Sequence, residues 1–398
     1  MNQYLELFQE QRALIVSHSQ PLLNSRREAA AEAFARLGFP TKRVERYKYT
    51  DVAAAFAPEY GLKLDTPLSQ QTIPDVVASR YGTLADVNED AITALNTMLA
   101  QELTVVHIPA GERRQLPIRL TRQLHSAVPL MQNRRLIVVV EEGAEVSLLM
   151  SDQTDDDQDF LTTQVTEIFV GKGASVEVYD IERTNARCHR LHQLYADVSA
   201  GGRFLHTSFT ATCGLTRNTT NVRLSGEGAS TELLGAAIID GQQHCDNNTL
   251  IDHAAPGCKS HELYKYVADE HATGAFAGRV LVRQEAQQTE SQETNANLVC
   301  TPWARIYTQP MLEIYADDVQ CSHGSTVGQM NEAALFYMQQ RGIGADEARL
   351  LLKQAFTADV LNLIPFEPLR DWLRNLANRR FEGDLNHCRT CQLCGPTK

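Results

Sequence analysis

The sequence lacks any long apolar run and any excess of positive charge. The longest aliphatic stretch, Leu136 to Val140, is far shorter than the roughly 18 apolar residues that a spanning helix needs, so we expect no transmembrane segment. The 398 residues include 37 Lys and Arg against 49 Asp and Glu, which gives a formal net charge of -12. Binding to nucleic acid or to an anionic membrane depends on basic patches, and this composition argues against both.

A secretory signal is also missing from the first residues. The start, MNQYLELFQEQ, has no basic region, no continuous apolar region and no small-residue cleavage site. The nine cysteines are an odd number spread over a long chain, unlike the dense framework of a small disulfide-rich secreted domain. We therefore expect a cytoplasmic protein in which a scattered cysteine is usually a small buried hydrophobic residue.

Motifs of the common enzyme classes are absent as well. The string nearest to a phosphate-binding P-loop, Gly257 to Ser260, has neither the glycine loop nor an adjacent Gly-Lys pair. The chain has no G-x-S-x-G elbow, no H-E-x-x-H and no G-x-G-x-x-G between a strand and a helix. The acidic cluster from Asp152 to Asp159 is expected to be a solvated loop, not the grouped carboxylates of a solenoid glycosidase. We expect a protein that is not an enzyme and does not hydrolyse ATP by itself.

Turn glycines recur through the middle of the chain. They are separated by 26 to 30 residues and comprise Gly143, Gly173, Gly202, Gly228 and Gly257. Each lies between runs with the period-2 alternation of a β-strand, such as Val222 and Leu224 alternating with polar residues. A repeat of this length predicts a β-solenoid, in which each coil stacks on the last and buries a shared core. A large Greek-key sandwich is the alternative, although it gives no reason for a near-constant interval.

Helical patterns flank this repeat on both sides and would cover the open ends of a solenoid. The chain is therefore divided into a helical region with a connector, a β-helix core, a helical domain and a cysteine-rich tail, at residues 1–100, 101–328, 329–381 and 382–398. The helices after residue 328 carry more apolar side chains than two helices can bury between themselves. They are expected either to pack on the end of the solenoid or to dock a partner through Leu335, Phe336, Leu350, Leu351 and Phe356.

Two groups of thiols and imidazoles are candidate metal ligands. Cys321 and His323 are two residues apart at the end of a strand pattern, so their side chains would share one face. A thiolate and a neutral imidazole can bind iron or zinc, but the site stays incomplete until a partner supplies more ligands; surface or buried residues without a ligand role are the alternative. The second group lies in the tail and comprises His387, Cys388, Cys391 and Cys394.

The tail repeats the C-x2-C-x2-C spacing of the first three ligands of a bacterial ferredoxin cluster, without the fourth cysteine before a proline. It is therefore either an iron or zinc site, closed by His387 or by a partner's thiolate, or a terminus without a ligand role.

Several strings between residues 288 and 361 follow a known pattern. Among them are Pro310-Met-Leu-Glu-Ile-Tyr-Ala-Asp-Asp-Val319, Cys321-Ser-His-Gly324, Ala334-Leu-Phe-Tyr337 and Glu347-Ala-Arg-Leu-Leu351. They closely resemble the SufB/SufD family of iron–sulfur cluster assembly proteins. SufB typically reads C-E-H-E-A-T where this chain has Cys321 to Thr326, which favours the SufD branch. The N-terminal string Gly38-Phe-Pro-Thr41, followed by Tyr47-Lys-Tyr-Thr50, also resembles SufD, which usually has tryptophan in place of Tyr47.

The resemblance implies a mainly β fold, with a right-handed parallel β-helix between helical termini. It also implies a non-catalytic scaffold subunit, paired with a SufB-like subunit and with SufC-like ABC ATPases that dock on the C-terminal helices and supply hydrolysis. A nascent iron–sulfur cluster would be held transiently between the two β-helices, with His323 as a proposed ligand, before its transfer. The cysteine tail is not part of the family pattern.

Alternative functions are a SufB-like homodimeric scaffold and a stand-alone β-helix enzyme acting on carbohydrate. A homodimer of the isolated chain is compatible with the first of these.

Overall fold

A parallel β-helix forms the middle of the chain in the computed structural model, which describes residues 2–62 and 72–383. Its strands are β1 Gly61–Leu62, β2 Glu102–Ile108, β3 Ile118–Leu124, β4 Leu130–Val140, β5 Glu145–Thr154, β6 Phe160–Val170, β7 Ser175–Arg183, β8 Cys188–Val198, β9 Arg203–Thr212, β10 Leu215–Leu224, β11 Ser230–Ile239, β12 His244–His253, β13 Lys259–Ala268, β14 Thr273–Val282, β15 Thr289–Val299, β16 Arg305–Ile314 and β17 Val319–Gln329.

Successive strands alternate between two parallel sheets. In the described residues, sheet A has nine strands in the order β1-β4-β6-β8-β10-β12-β14-β16, with β2 also paired to β4. Sheet B has eight described strands in the order β17-β15-β13-β11-β9-β7-β5-β3. Each coil of chain therefore adds one strand to each sheet, and the predicted solenoid is confirmed.

Glycines at the corners explain the regular interval in the sequence. Four of the five turn glycines adopt left-handed φ angles between 62° and 68°, namely Gly143, Gly173, Gly228 and Gly257. In the remaining coil the left-handed residue is Gly201, with φ 61°, and not the expected Gly202. Gly202 is required for a different reason, because a Cβ there would lie 2.9 Å from the carbonyl oxygen of Ser199.

The solenoid interior is filled by alternate residues of every strand. Val176 and Val178 of β7 are fully buried, and so are Val222 and Leu224 of β10, as the alternation predicted. These residues belong to one apolar core that runs along the solenoid axis. The period-2 pattern therefore identifies the inward face of each strand.

Part of the interior is charged. The acidic cluster was expected in a solvated loop, and Asp155 to Asp159 do lie in the loop between β5 and β6. For Asp152 the expectation is wrong, because it lies on β5 with its side chain buried. Arg134 donates to both Asp152 carboxylate oxygens at 2.8 and 2.9 Å, and Arg190 Nε donates to Oδ2 at 2.8 Å. Arg190 also binds both oxygens of Asp180, which in turn contacts His192 Nδ1 at 2.8 Å. Asp152 follows the inward alternation of its strand, and the two arginines compensate its burial.

The N-terminal helices pack on the outer face of sheet A. In the described residues they are α1 Gln3–Ser17, α2 Pro21–Asn24, α3 Arg27–Leu37, α4 Val52–Ala55, α5 Asp75–Ala78 and α6 Ala91–Leu99, with a 3-10 turn at Glu45–Tyr47. Asn96 of α6 donates to Thr163 Oγ1 at 2.8 Å, and Gln193 donates to Asp90 at the α6 N-terminus at 2.7 Å. No described helix combines the length and apolar character needed to cross a membrane.

The C-terminal helices pack on the outer face of sheet B. They are α7 Glu332–Gln340, α8 Ala345–Leu361 and α9 Glu367–Phe381. Val360 and Leu373 are fully buried in an apolar cluster with Leu205, Phe209 and Leu234 of the sheet. Both helical regions thus cover sheet faces, and the expectation that they close the solenoid ends does not hold for the coil of β16 and β17. A sheet face offers a broad apolar surface to a helix, whereas the end of the solenoid offers mainly two strand edges.

Candidate functional site

The last coil of the β-helix ends in two unpaired strand edges. In the described part of the chain, β17 pairs only with β15, and β16 pairs only with β14. The residues of β17 from Ser322 to Gln329 are exposed. An unpaired edge presents a row of free backbone donors and acceptors, which favours pairing with a strand of another chain.

Cys321 and His323 share one face, as predicted, but they lie near the start of the edge strand β17 and not at the end of a strand. Their register partners on β15 are Ser291 and Glu293, which are 5% and 1% exposed inside the solenoid. Because no further coil of the described chain covers β17, Cys321 is only half-buried and His323 is exposed. The two side chains therefore follow the inward alternation but stand at the open end.

The pair can supply one soft sulfur ligand and one imidazole ligand. Cys321 is a free thiol whose pKa is raised by burial, against a smaller opposite effect of a hydrogen bond with the Ser291 backbone. Across residues 2–62 and 72–383, no group of three or more His, Cys, Asp or Glu side chains is arranged to hold a metal ion. A tetrahedral iron or zinc centre at this pair therefore needs ligands from elsewhere.

The remaining described cysteines lie in or near the core. Four of them are fully buried, namely Cys188, Cys213, Cys245 and Cys258. Burial raises the pKa of each of these thiols and keeps it protonated. Burial also raises the pKa of Cys300 to about 11, although Lys353 acts in the opposite direction. Coil stacking does not turn these thiols into a metal site.

The tail candidates cannot be placed in the same way. His387, Cys388, Cys391 and Cys394 lie outside the described residues, so their ligand role stays a prediction.

The predicted docking residues of the C-terminal helices differ in exposure. Phe336 and Leu351 are 62% and 39% exposed, whereas Leu335 is 6% exposed. Leu350 and Phe356 are half-buried, and the Phe356 ring lies 4.4 Å from Lys265 Nζ. Phe336 and Leu351 thus offer the apolar surface that a partner could contact.

Two glutamates behind His323 were missed by the sequence analysis. Glu262 of β13, Glu293 and His323 occupy the same position on three adjacent strands of sheet B. Burial raises the pKa of Glu262 to about 7 and that of Glu293 to about 9, where the charge of Glu262 adds to the effect. Glu262 is two and four residues before the inward-facing Tyr264 and Tyr266. This alternation in the sequence could have predicted that Glu262 points into the solenoid.

Comparison with known proteins identifies the family of the chain. Residues 122–356 match the family model described as "SUF system FeS cluster assembly, SufBD core domain", which spans more than half of the chain. The chain belongs to the SufBD family of iron–sulfur cluster assembly proteins. Residues 1–71 and 66–120 match the family's "SufBD protein N-terminal region".

SufBD relatives align over most of the chain. A Synechocystis iron–sulfur cluster assembly SufBD family protein is 29% identical over 94% of this chain and 95% of its own length. Escherichia coli SufD is 27% identical over 87% of this chain and 90% of its own length. The chloroplastic ABCI7 protein of Arabidopsis thaliana is 29% identical over 72% of this chain and 62% of its own. The predicted family is confirmed.

The SufBD core match contains Cys321, His323 and the α7–α8 region with Phe336 and Leu351. Neither SufBD match extends to the cysteine tail, which agrees with its absence from the expected family pattern.

Proposed function

We propose that this SufBD-family chain is a non-catalytic scaffold subunit that shares an iron–sulfur cluster assembly site with a second β-helix subunit. Cys321 and His323 would supply this chain's ligands, and a SufB-like partner would supply the others. The nascent cluster is cargo, held transiently and then passed on. A SufC-like ATPase would drive rearrangement of the complex.

The observation that carries this proposal is an incomplete ligand pair on an unpaired edge. Cys321 and His323 face the same way at the open end, and no third ligand from the described residues joins them. A partner strand added to the edge of β17 would lie about 4.8 Å away, which is within reach of a shared metal centre. Edge pairing and shared ligation would therefore occur together.

Exposed apolar side chains around the last coil support a protein partner there. Trp303 is 61% exposed, Tyr315 65% and Val327 51%, and Ile314 at the end of β16 is 39% exposed. Large aromatic residues that become buried at the centre of a protein interface contribute much of its binding free energy. The open end thus combines free backbone edges with apolar anchors.

The proposed ATPase surface lies on α7 and the start of α8. Phe336 and Tyr337 on α7 are 62% and 60% exposed, while the later part of α8 and α9 are packed on sheet B. Deleting the whole helical domain would uncover Leu205 and Phe209 of the sheet, so point substitutions are the sharper test of docking.

The decisive experiment is His323→Ala in the complex with SufB-like and SufC-like proteins. The complex is reconstituted anaerobically, and its iron, acid-labile sulfide and thermal unfolding are measured. We expect cluster content to fall several-fold with an unchanged melting temperature, because His323 is exposed and loses only a ligand. Gln320→Ala, on the opposite face of β17, is the matched control.

Normal cluster content in His323→Ala would refute the ligand role. Loss of partner binding in the same variant would instead make His323 an interface residue. If this chain forms a homodimer that assembles clusters without a SufB-like protein, it acts as a homodimeric scaffold and not in the SufD-type role. Additional iron or zinc that disappears when the tail cysteines are replaced would identify a separate tail site.

A further inference from the structure

Glu262 and Glu293 differ from the other buried carboxylates of the solenoid. They are 0% and 1% exposed and lie directly opposite each other on β13 and β15. All four of their carboxyl oxygens are buried and have no hydrogen-bond partner among residues 2–62 and 72–383. By contrast, Glu167 accepts from Arg135 at 2.8 Å, and Glu182 accepts from threonine hydroxyls.

No positive charge in the described part of the chain compensates this pair. No lysine, arginine or histidine side chain forms an ion pair with either glutamate there. The nearby Thr249 hydroxyl lowers the pKa of Glu262 less than burial raises it, and within the described residues it does not reach hydrogen-bond geometry with the carboxylate. Burying two adjacent carboxylates without a counter-charge is costly, so an additional group is expected between them.

The surrounding residues leave room for the carboxyl groups. Gly278, on β14 of the facing sheet, has no side chain next to Glu293, and a Cβ there would lie 2.2 Å from Oε1. Solvent lies one strand away, because the register partner of Glu293 on the other side is the exposed His323. An ion entering at the open end would therefore reach the pair after passing a single strand.

We propose that Glu262 and Glu293 form a buried binding site for one divalent metal ion, directly behind the exposed His323. Two carboxylates neutralise a divalent charge, and the Thr249 hydroxyl and retained water would complete an oxygen-rich coordination shell. Mn²⁺ and Fe²⁺ accept such ligands and also imidazole, so His323 could pass the ion between the exterior and this site. We take the physiological ion to be ferrous iron, and this identity rests on the proposed function.

The test is Mn²⁺ binding to the isolated full chain after treatment with chelator. The free Mn²⁺ signal in electron paramagnetic resonance measures binding, and we expect one ion per chain. Glu262→Gln and Glu293→Gln should each weaken binding at least tenfold. Glu182→Gln, which changes an equally buried glutamate bound by threonines, should retain wild-type affinity.

Equal losses in all three variants, or no binding to the wild type, would overturn the site. In the latter case the two glutamates share a proton instead of a metal ion. Should the glutamine variants misfold, anomalous diffraction from wild-type crystals grown with Mn²⁺ decides the matter: a peak between the two glutamates supports the site, and its absence overturns it. Intact Mn²⁺ binding alongside failed cluster formation in the complex would count against the proposed function only.

Discussion

Replacing Arg190 with methionine should remove a large part of the stability of this protein. The Arg190 side chain is buried inside the solenoid and makes four hydrogen bonds of 2.7 to 2.8 Å, to Asp152, Asp180 and Asn218. Of the described partners, Asp152 would keep Arg134, but Asp180 would keep only His192. Breaking a buried ion pair while leaving its partner charged costs about 3 to 5 kcal/mol, so the loss is large against typical total stabilities of about 5 to 15 kcal/mol.

The pH dependence of this loss has a definite sign. Burial by itself would raise the pKa of Asp180, but Arg190 and then His192 hold it well below its usual range. In the wild type this carboxylate contributes stability that is present above about pH 4 and is lost as the pH falls further. Without Arg190, burial dominates and raises the pKa of Asp180, so stability should instead decline as the pH rises above about 4.

Urea unfolding of the full chain, followed by far-ultraviolet circular dichroism between pH 3 and pH 8, measures both effects. Arg187→Met is the matched control, because Arg187 pairs with Asp159 at the surface and its removal should leave the unfolding midpoint unchanged. Adding Asp180→Asn to Arg190→Met should recover part of the loss by removing the unpaired charge. A loss below about 1 kcal/mol for Arg190→Met at pH 7 would refute the reasoning.

Four further outcomes are expected. Gly235→Ala should lower the melting temperature, because its Cβ would lie 2.0 Å from the Tyr264 ring and overpacking costs about 1 to 3 kcal/mol. Gly324→Ala, on the exposed edge strand, is the control and should leave the melting temperature unchanged. Equal melting temperatures for the two variants would contradict this. Phe336→Ala should weaken ATPase co-purification several-fold without changing thermal unfolding, and unchanged co-purification would exclude that docking surface. Glu293→Gln should flatten the dependence of unfolding free energy on pH between about pH 5 and pH 9 in the metal-free chain. The pKa of Glu293 is raised in the folded wild type, so wild-type stability falls as the pH rises through that window. An unaltered pH dependence would show that Glu293 ionises normally. Serine at all three tail cysteines should leave complex assembly intact, as judged by size-exclusion chromatography, because the tail lies outside the family matches; loss of the complex would make the tail structural.

The solenoid could be predicted because its signals are local. A left-handed corner favours glycine in most coils, although Gln288 fills the corner before β15 with φ 59°. A strand with one face inside the solenoid alternates apolar with polar residues. The Gly201-Gly202 pair shows the limit of this reasoning. Gly201 makes the left-handed turn and Gly202 makes a close backbone contact, and the sequence does not show which glycine has which function.

The candidate site was predictable in part. The spacing of Cys321 and His323 placed both side chains on one face, which the register on β15 confirms. Their exposure arises because β17 is the last strand of sheet B in the described residues, and a repeat pattern does not show whether its last edge is covered. The helices could equally have packed there, but they lie on the sheet faces.

The sequence by itself determined the repeating backbone of this protein, since turn glycines and alternation act within one coil and need no distant partner. Only the tertiary structure decided which polar residues are buried together. Asp152 and Glu262 both follow the inward alternation, yet Asp152 meets Arg134 and Arg190 whereas Glu262 meets Glu293. The fold brings together residues 18, 31 and 38 positions apart in these pairs, and the energy of a buried charge depends on that neighbour and not on its own sequence context.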